Sequence, residues 1–469
     1  MAQTTRDVLS LIKDEGIELI DLKVADLHGR WQHLTVCADQ VNARAFADGL
    51  AFDSSSLRGW NPLQDSEIAL VPDPGTAWID PFHSHRTLSL ICSIQERRSG
   101  KPTGCCPRSL AQRAFAYLGS TGLADTAYFG PQPEFFLFDD GRDSSSEASC
   151  YSNKSSEAAW NNGDGMHGKQ GPWRAPWNDP VAAHDTDQDM RSELVLLLGS
   201  LGVPIERHHQ AVTASGQQRL AMTDTELIRA ADNLMTTRYV VRNLARKYGR
   251  SATFMPQPVH GANGSGLPVH QSLWKAGQPL FFGEGTYANL SQTARWYIGG
   301  LLRHAPSFLA FTNPGTNSYR RLVSGIAAPV NLIYSQANRS AAVRIPITGP
   351  SPRAKRLEFR SGDGLANPYL ALSAMLMAGL DGIRNQIDPG EGIDGDLIGL
   401  PADQLARIAT VPASLSRTLE ALNADKDYLL AGGVFSEDLI ANWIALKDAE
   451  VQQLRQRPHP YEYSLYYDA

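Results

Sequence analysis

The sequence predicts an α+β protein in two unequal parts. Three observations predict it: a short amphipathic helix followed by a hairpin at the start, an aromatic strand-forming stretch at residues 127–140, and beyond that strands alternating with long amphipathic helices. At 469 residues the chain is too long for one small core. The boundary is expected in the Pro102 to Pro107 stretch, giving parts of 1–105 and 106–469.

Thr5 to Gly16 carries apolar residues at helical spacing and stops at a glycine suited to a helix C-terminus. Ile17 to Asp26 then alternates, His28 and Gly29 turn, and Arg30 to Val36 supplies the hairpin partner. Strand signals return at Ala69 to Pro72 and Leu88 to Ile94.

Ala127 to Asp140 is the stretch around which the large part is organised. Pro131 and Pro133 forbid a helix interior, and Phe135 to Phe138 suits a half-buried strand. Read as one strand, it places Gln132 and Glu134 on a common face. Between Gly141 and Asp179 no period is sustained, and Trp160, Trp173 and Trp177 favour an arm that docks. Helices are expected at 109–119, 185–201, 225–247, 290–304, 368–386, 415–422 and 436–455. Short strands are expected at 205–212, 217–222, 252–254, 332–334, 342–346 and 356–360. Helices on one curved, antiparallel-rich sheet would satisfy this order.

Composition excludes several classes of function. With 42% hydrophobic and 20% charged residues there is no case for bulk disorder, and no run of about eighteen apolar residues could cross a membrane. A net charge of −6 favours neither nucleic acid nor an anionic membrane as partner. Cys37, Cys92, Cys105, Cys106 and Cys150 show no C-x-x-C spacing, which fits reduced thiols in a cytoplasmic protein. His208 and His209 are neighbours on a strand and point apart, so shared metal ligation is not expected.

Several motifs in order carry a stronger signal. They are Asp26-Leu-His-Gly-Arg-Trp-Gln-His33, Gly130-Pro-Gln-Pro-Glu-Phe-Phe136, Asn263-Gly-Ser-Gly266, Asn317-Ser-Tyr-Arg-Arg-Leu-Val323, Arg356-Leu-Glu-Phe-Arg360 and Asn367-Pro-Tyr-Leu370. Together they resemble type I glutamine synthetases, the cyanobacterial kind in particular. The resemblance implies a small N-terminal β-grasp domain, a large C-terminal catalytic α/β domain, and stacked hexameric rings with active sites between subunits. Such enzymes use ATP with magnesium or manganese to phosphorylate the glutamate side chain, and ammonia then displaces the phosphate.

Residue by residue, the resemblance assigns Arg321, Arg360, Asn263 and Gly264 to the amino-acid substrate. It matches Arg339, Arg344 and Arg356 with arginines that contact the phosphates and nucleotide, Arg339 being counted as catalytic, and places His270, Ser272 and Glu206 near the adenosine. Asp53 matches the aspartate that helps to bind ammonium in a neighbouring subunit's site. Of the implied cation ligands, Glu134 and Glu358 remain, while Gln132, Ala211, Arg219 and Pro268 stand where other ligands belong. Ala327 stands for a catalytic glutamate, Asn178 for a tyrosine of the ammonium site, and Ile398 for a tyrosine that is adenylylated in some relatives.

A guanidinium at a divalent site repels the metal. The expectation is therefore a degenerate metal site, no bound cofactor and a pseudoenzyme that keeps an amino-acid-like pocket and the ring scaffold, alone or mixed with an active relative. The alternative is a repurposed enzyme in which Arg219 replaces cation charge and Asp53 or Glu134 moves the proton. Ordinary glutamine formation comes last. For Arg356, Glu358 and Arg360, an ion-pair ladder along one strand is the bland explanation.

Overall fold

The computed structural model describes residues 4–54, 67–145, 150–155, 185–211, 216–323, 328–395, 397 and 408–469. The smaller part opens with helix α1 (Thr5–Asp14), capped by Thr4 and Asp7 in a reciprocal box. Gly16 takes a positive φ of 58° and turns the chain out of the helix. Strands β1 (Leu19–Ala25) and β2 (Trp31–Cys37) form the expected hairpin. Helix α2 (Ala43–Asp48), β3 (Leu50–Asp53), β4 (Glu67–Pro72), β5 (Trp78–Ile79) and β6 (Thr87–Glu96) complete the unit. Its sheet has the order β2-β1-β6-β4-β3, with β5 on β6 and β1 parallel to β6. Val8, Ile20, Leu22, Val24, Leu88 and Leu90 form its own core.

The larger part starts at α3 (Pro107–Thr121) and holds a second core. Its first strands are β7 (Thr126–Pro131) and β8 (Glu134–Phe138), followed by the hairpin β9 (Asp140–Ser145) and β10 (Cys150–Ser155). Next come α4 (Gln188–Ser200), β11 (Ile205–Gln210), β12 (Gln217–Met222), β13 (Thr225–Glu226), α5 (Leu227–Lys247) and β14 (Ser251–Thr253). After these follow β15 (Val269–Lys275), β16 (Gln278–Pro279), α6 (Gln292–Thr312), α7 (Ser318–Arg321), β17 (Asn331–Ser335), β18 (Ala341–Arg344), β19 (Leu357–Phe359) and α8 (Pro368–Arg384). Helices at Leu415–Ala424, Asp427–Leu430, Glu437–Arg455 and Pro460–Tyr466 close the chain.

The single curved sheet that the sequence suggests is, in the structure, two sheets. One runs β11-β12-β8-β14; the other runs β13-β7-β15-β19-β18-β17, with β16 on β15. Residues 127–140 are accordingly not one strand: β7 belongs to the second sheet and β8 to the first. Pro131 and Pro133 have no N–H to give a ladder, so pairing lapses between them and the chain changes sheets. The hairpin β9–β10 also lies in a stretch expected to be loop; the tryptophans of the predicted arm fall outside the described residues.

Helix α8 is buried along nearly its whole length and packs on α6. Contact is that close because of glycine: a Cβ on Gly382 would lie 2.6 Å from the Gly300 nitrogen. The two parts are clamped at several points. Asn367 donates to the Asp26 and Leu27 carbonyls at 3.1 Å each, and Tyr239 donates to Asp80 at 2.8 Å. Among the described residues no helix is long and apolar enough to cross a membrane.

Candidate active site

The site forms where the chain crosses between the two sheets. The Gln132 amide donates to the Pro268 carbonyl at 2.8 Å and the Glu134 amide to the Gly266 carbonyl at 3.1 Å, so the segment before β15 takes up the donors that β7 and β8 leave over. Although the strand is broken, Gln132 and Glu134 do reach one space, because both meet the same guanidinium. Arg219 sits directly opposite Glu134 in the β12–β8 register. Its Nη1 lies 3.4 Å from Glu134 Oε1, and its Nη2 donates to Gln132 Oε1 and lies 3.9 Å from Glu358 Oε1.

Glu134 is held from the other side by the Gly266 amide at 2.7 Å. Glu358 is almost fully buried, opposite Arg344 on β18 and His270 on β15. Arg344 Nε donates to its Oε2. Burial alone would raise the Glu358 carboxyl; the hydrogen bond and charge of Arg344, with His270 and Arg360 adding to them, hold it below the ordinary carboxylate value. The close partners of Glu358 are therefore Arg344 across the sheet and Arg219, not strand neighbours in a ladder. Burial pushes His270 down to about 4 despite Glu358, with Arg356, Arg344 and Arg219 pushing the same way. The ring is neutral near pH 7 and accepts from Gln132 Nε2 at 3.0 Å.

These groups open onto a cavity of about 2110 Å³. Predicted residues Glu134, Arg219, Asn263, Gly264, Arg321 and Arg339 line it, as do Arg344, Glu358, Arg360, Ala211 and Pro268. Arg321 crosses the glycine motif: a Cβ on Gly264 would lie 2.7 Å from Arg321 Cγ, and one on Gly266 would lie 2.5 Å from its Nη2. At Gly264 the Pro256 carbonyl is nearer still, 2.5 Å from such a Cβ, so backbone and guanidinium together leave no room for a side chain there. Arg321 donates to the Ser361 and Gly362 carbonyls at 2.8 and 3.2 Å. Burial lowers it, and burial also brings Arg360 down to about 10, with Glu358 opposing the shift.

Not every predicted residue joins this wall. His270 and Ser272 on β15 are buried beneath it, the Ser272 hydroxyl accepting from Trp274 Nε1 at 3.1 Å. Glu206 is exposed on β11. The Arg356 Nε is buried without a hydrogen-bond partner among the described residues. Asp53 is exposed at the end of edge strand β3 in the smaller part. Ala327, Asn178 and Ile398 lie outside the described residues. Sequence reasoning missed Gln217, which donates to the Gly264 carbonyl at 3.1 Å and Ser265 Oγ at 3.2 Å. Its position two residues before Arg219 on β12, hence on the same face, was the available signal.

Of the cation ligands that the resemblance implies, the two carboxylates present, Glu134 and Glu358, reach the cavity. Glu134 and Glu358 both face Arg219, and among the described residues no group of three or more His, Cys, Asp or Glu could hold a metal ion. Cys37, Cys92, Cys105 and Cys106 are free thiols, Cys92 pushed up by burial.

Comparison with known proteins places the whole chain. The model for "Glutamine synthetase, catalytic domain" matches residues 104–466 and that for "Glutamine synthetase, beta-Grasp domain" matches 16–97. Curated glutamine synthetases from Microchaete diplosiphon and Nostoc sp. are 53% and 52% identical, each covering 99% of this chain and of the relative. One from Mycobacterium bovis is 47% identical over 99% of both chains. A Plasmodium falciparum glutamine synthetase structure has the same fold, with a TM-score of 0.90 over 99% of this chain and 98% of that one at 23% identity. A structure titled "Apo GmaS without ligand" has a TM-score of 0.81 at 27% identity, over 99% of this chain and 100% of that one. These findings overturn the expectation of a pseudoenzyme with a degenerate metal site. Full-length relatives at 47–53% identity carry an enzyme's name, which supports an active enzyme. The error lay in counting hard oxygen ligands position by position and taking their number as the measure of activity. The arginines that the resemblance assigned to the substrates come together in one cavity in the structure.

Proposed function

Because the chain belongs to the glutamine synthetase family along nearly its entire length, we propose that it is an active ligase of that kind. It joins ammonia to the side-chain carboxylate of glutamate, with ATP as the activating agent. The observation that carries this reading is the convergence of Arg321, Arg339, Arg344 and Arg360 on one cavity. A triphosphate and an amino acid are both anionic, and planar guanidiniums recognise phosphate and carboxylate oxygens through paired hydrogen bonds.

In this reading Arg360 and Arg321 face the amino acid, with Asn263 and Gly264 at its amino group. Arg344 and Arg339 face the phosphates, and Arg356, His270, Ser272 and Glu206 support the nucleotide end. His270 does so as a neutral ring. Arg219 adds a fixed positive charge between Glu134 and Glu358, where a preorganised cation stabilises charge that builds on transferring oxygens. Asp53 acts in a neighbouring copy's site, which requires self-association into rings; there its carboxylate takes the proton that the attacking amine must lose.

The test is direct. Purified chain is incubated with ATP, glutamate and hydroxylamine across magnesium and manganese concentrations, and γ-glutamyl hydroxamate and phosphate are measured. Stoichiometric formation of both is expected. Folded, assembled protein that forms neither would refute the reading.

A further inference from the structure

The turn that carries Arg339 is tied down from outside the arginine wall. Asp394 Oδ1 accepts from the Ser335 and Tyr287 hydroxyls, each at 2.7 Å, and from the backbone amides of Gln336 and Ala337 at 2.9 and 3.3 Å. Ser335 Oγ in turn accepts from the Ala337 and Asn338 amides at 3.1 and 2.8 Å. Asn338 Nδ2 donates to the Gly395 carbonyl at 2.8 Å. Every amide from 336 to 338 is thus satisfied by Asp394 or by the hydroxyl it holds. Arg339 is the next residue, and its carbonyl accepts from Arg360 Nη1.

The segment that bears Asp394 is itself fixed. Ile393 donates to the Tyr334 carbonyl at 3.0 Å, and the Tyr334 hydroxyl to the Gly390 carbonyl at 2.9 Å. A Cβ on Gly392 would lie 2.6 Å from the Tyr287 ring, and that ring packs edge-on against Tyr334 at 5.7 Å. Asp394 is exposed, yet those donors outweigh burial and hold its carboxyl below the usual value, so it is ionised wherever the enzyme would work. A surface carboxylate that collects hydroxyl and amide donors on one oxygen does more than solvate a loop. It selects one conformation of a turn that would otherwise sample several.

We infer that Asp394 is a positioning residue, fixing the Gln336–Asn338 turn so that Arg339 meets the anionic substrate from the cavity wall. The inference rests on the arginine wall being the binding site for phosphate. It predicts a split that a merely structural role would not produce. Asp394→Ala should raise the KM for ATP and the Kd for ADP by about tenfold, the worth of one charge-assisted hydrogen bond, while kcat changes less than about threefold. Asp394→Asn keeps the Oδ1 acceptor and should restore most of the affinity.

Amide hydrogen exchange at 336–338 should be faster in Asp394→Ala than in wild type, and near wild type in Asp394→Asn. ADP and tripolyphosphate binding is read by calorimetry, so the inference is tested even without turnover. Wild type that binds ADP but forms no hydroxamate would refute the ligase reading alone. Faster exchange in Asp394→Ala with unchanged ADP affinity would overturn the positioning role. So would equal exchange in all three proteins, or a wild type that binds neither ADP nor tripolyphosphate.

Discussion

Arg108 and Arg219 each stand between two carboxylates, and the way each is held separates fold from function. Arg108 is 4% exposed and meets Asp232 with two parallel bonds, Nε to Oδ1 at 3.0 Å and Nη2 to Oδ2 at 2.9 Å. A further bond to Asp73 at 2.6 Å ties α3 to the smaller part, and Tyr369 donates to Asp232 at 2.7 Å. Arg219 is 27% exposed; its close bond goes to the neutral Gln132 amide, and its contacts to the carboxylates of Glu134 and Glu358 are single and long, 3.4 and 3.9 Å. Both are ion pairs by composition. In the first, Nε and Nη2 are both spent on carboxylates of the fold; in the second, the carboxylates are held only at long range at a cavity wall, and the charge is available to whatever enters.

The largest effect should come from breaking the first centre. Asp232→Ala leaves a buried guanidinium with the half-exposed Asp73 as its remaining carboxylate, beside a long contact to Ser93, and strips the Tyr369 hydroxyl of its acceptor. Removing one partner of a buried pair costs about 3–5 kcal/mol. Urea unfolding should show that loss; a change under about 1 kcal/mol would mean that water or Asp73 compensates and that the two centres are alike.

Arg219→Met tests the other side of the contrast. Stability should move by no more than about 1 kcal/mol, as for partly exposed pairs, while hydroxamate formation falls by about 10²–10³-fold, as when one preorganised donor is lost from a site. Arg219→Lys keeps the charge but not the planar fork and should fall between. Unchanged turnover in Arg219→Met would make Arg219 a packing residue like Arg108.

How much of this was legible follows from the same distinction. Local signals placed α1, the β1–β2 hairpin, α3, α5 and α8 within a few residues, because helical spacing and glycine stops act over short range. Strand β15, central in its sheet, was not read at all. Its seven residues, Val269–Lys275, follow a glycine- and proline-rich segment and owe their conformation to β7 and β19, far away in sequence. The sheet change at Gln132 and Pro133 was missed for a related reason: the prolines were used to exclude helix and not to ask where the ladder would stop. The arginine wall was legible only through motif resemblance, since Arg219, Arg321, Arg344 and Arg360 come from four separate elements or their ends. Asp394 had no signal, its role being defined by amides some sixty residues away.

His304 sharpens the comparison with a cation that pH can switch off. Nδ1 lies 2.8 Å from Asp425 and Nε2 3.0 Å from Asp381, and the ring stacks on Tyr428 with centroids 4.0 Å apart. Burial alone would lower its pKa, but hydrogen bonds to Asp381 and Asp425 and their charges outweigh burial and raise it. Because the folded value lies above the unfolded one of about 6.5, the imidazolium contributes fully below that value. The contribution is lost as pH rises through the raised folded value. At the acid end, Asp381 is depressed, chiefly by the His304 bond, so its share fades as pH falls below the ordinary aspartate range. His304→Gln should therefore unfold at lower urea than wild type near pH ~5.5, with the gap narrowing toward pH ~9. The effect should be the smallest of the three, because Asp381 and Asp425 are 25% and 42% exposed and solvent screens them. A gap of constant size across that range would show that His304 contributes through stacking on Tyr428 and not through its charge.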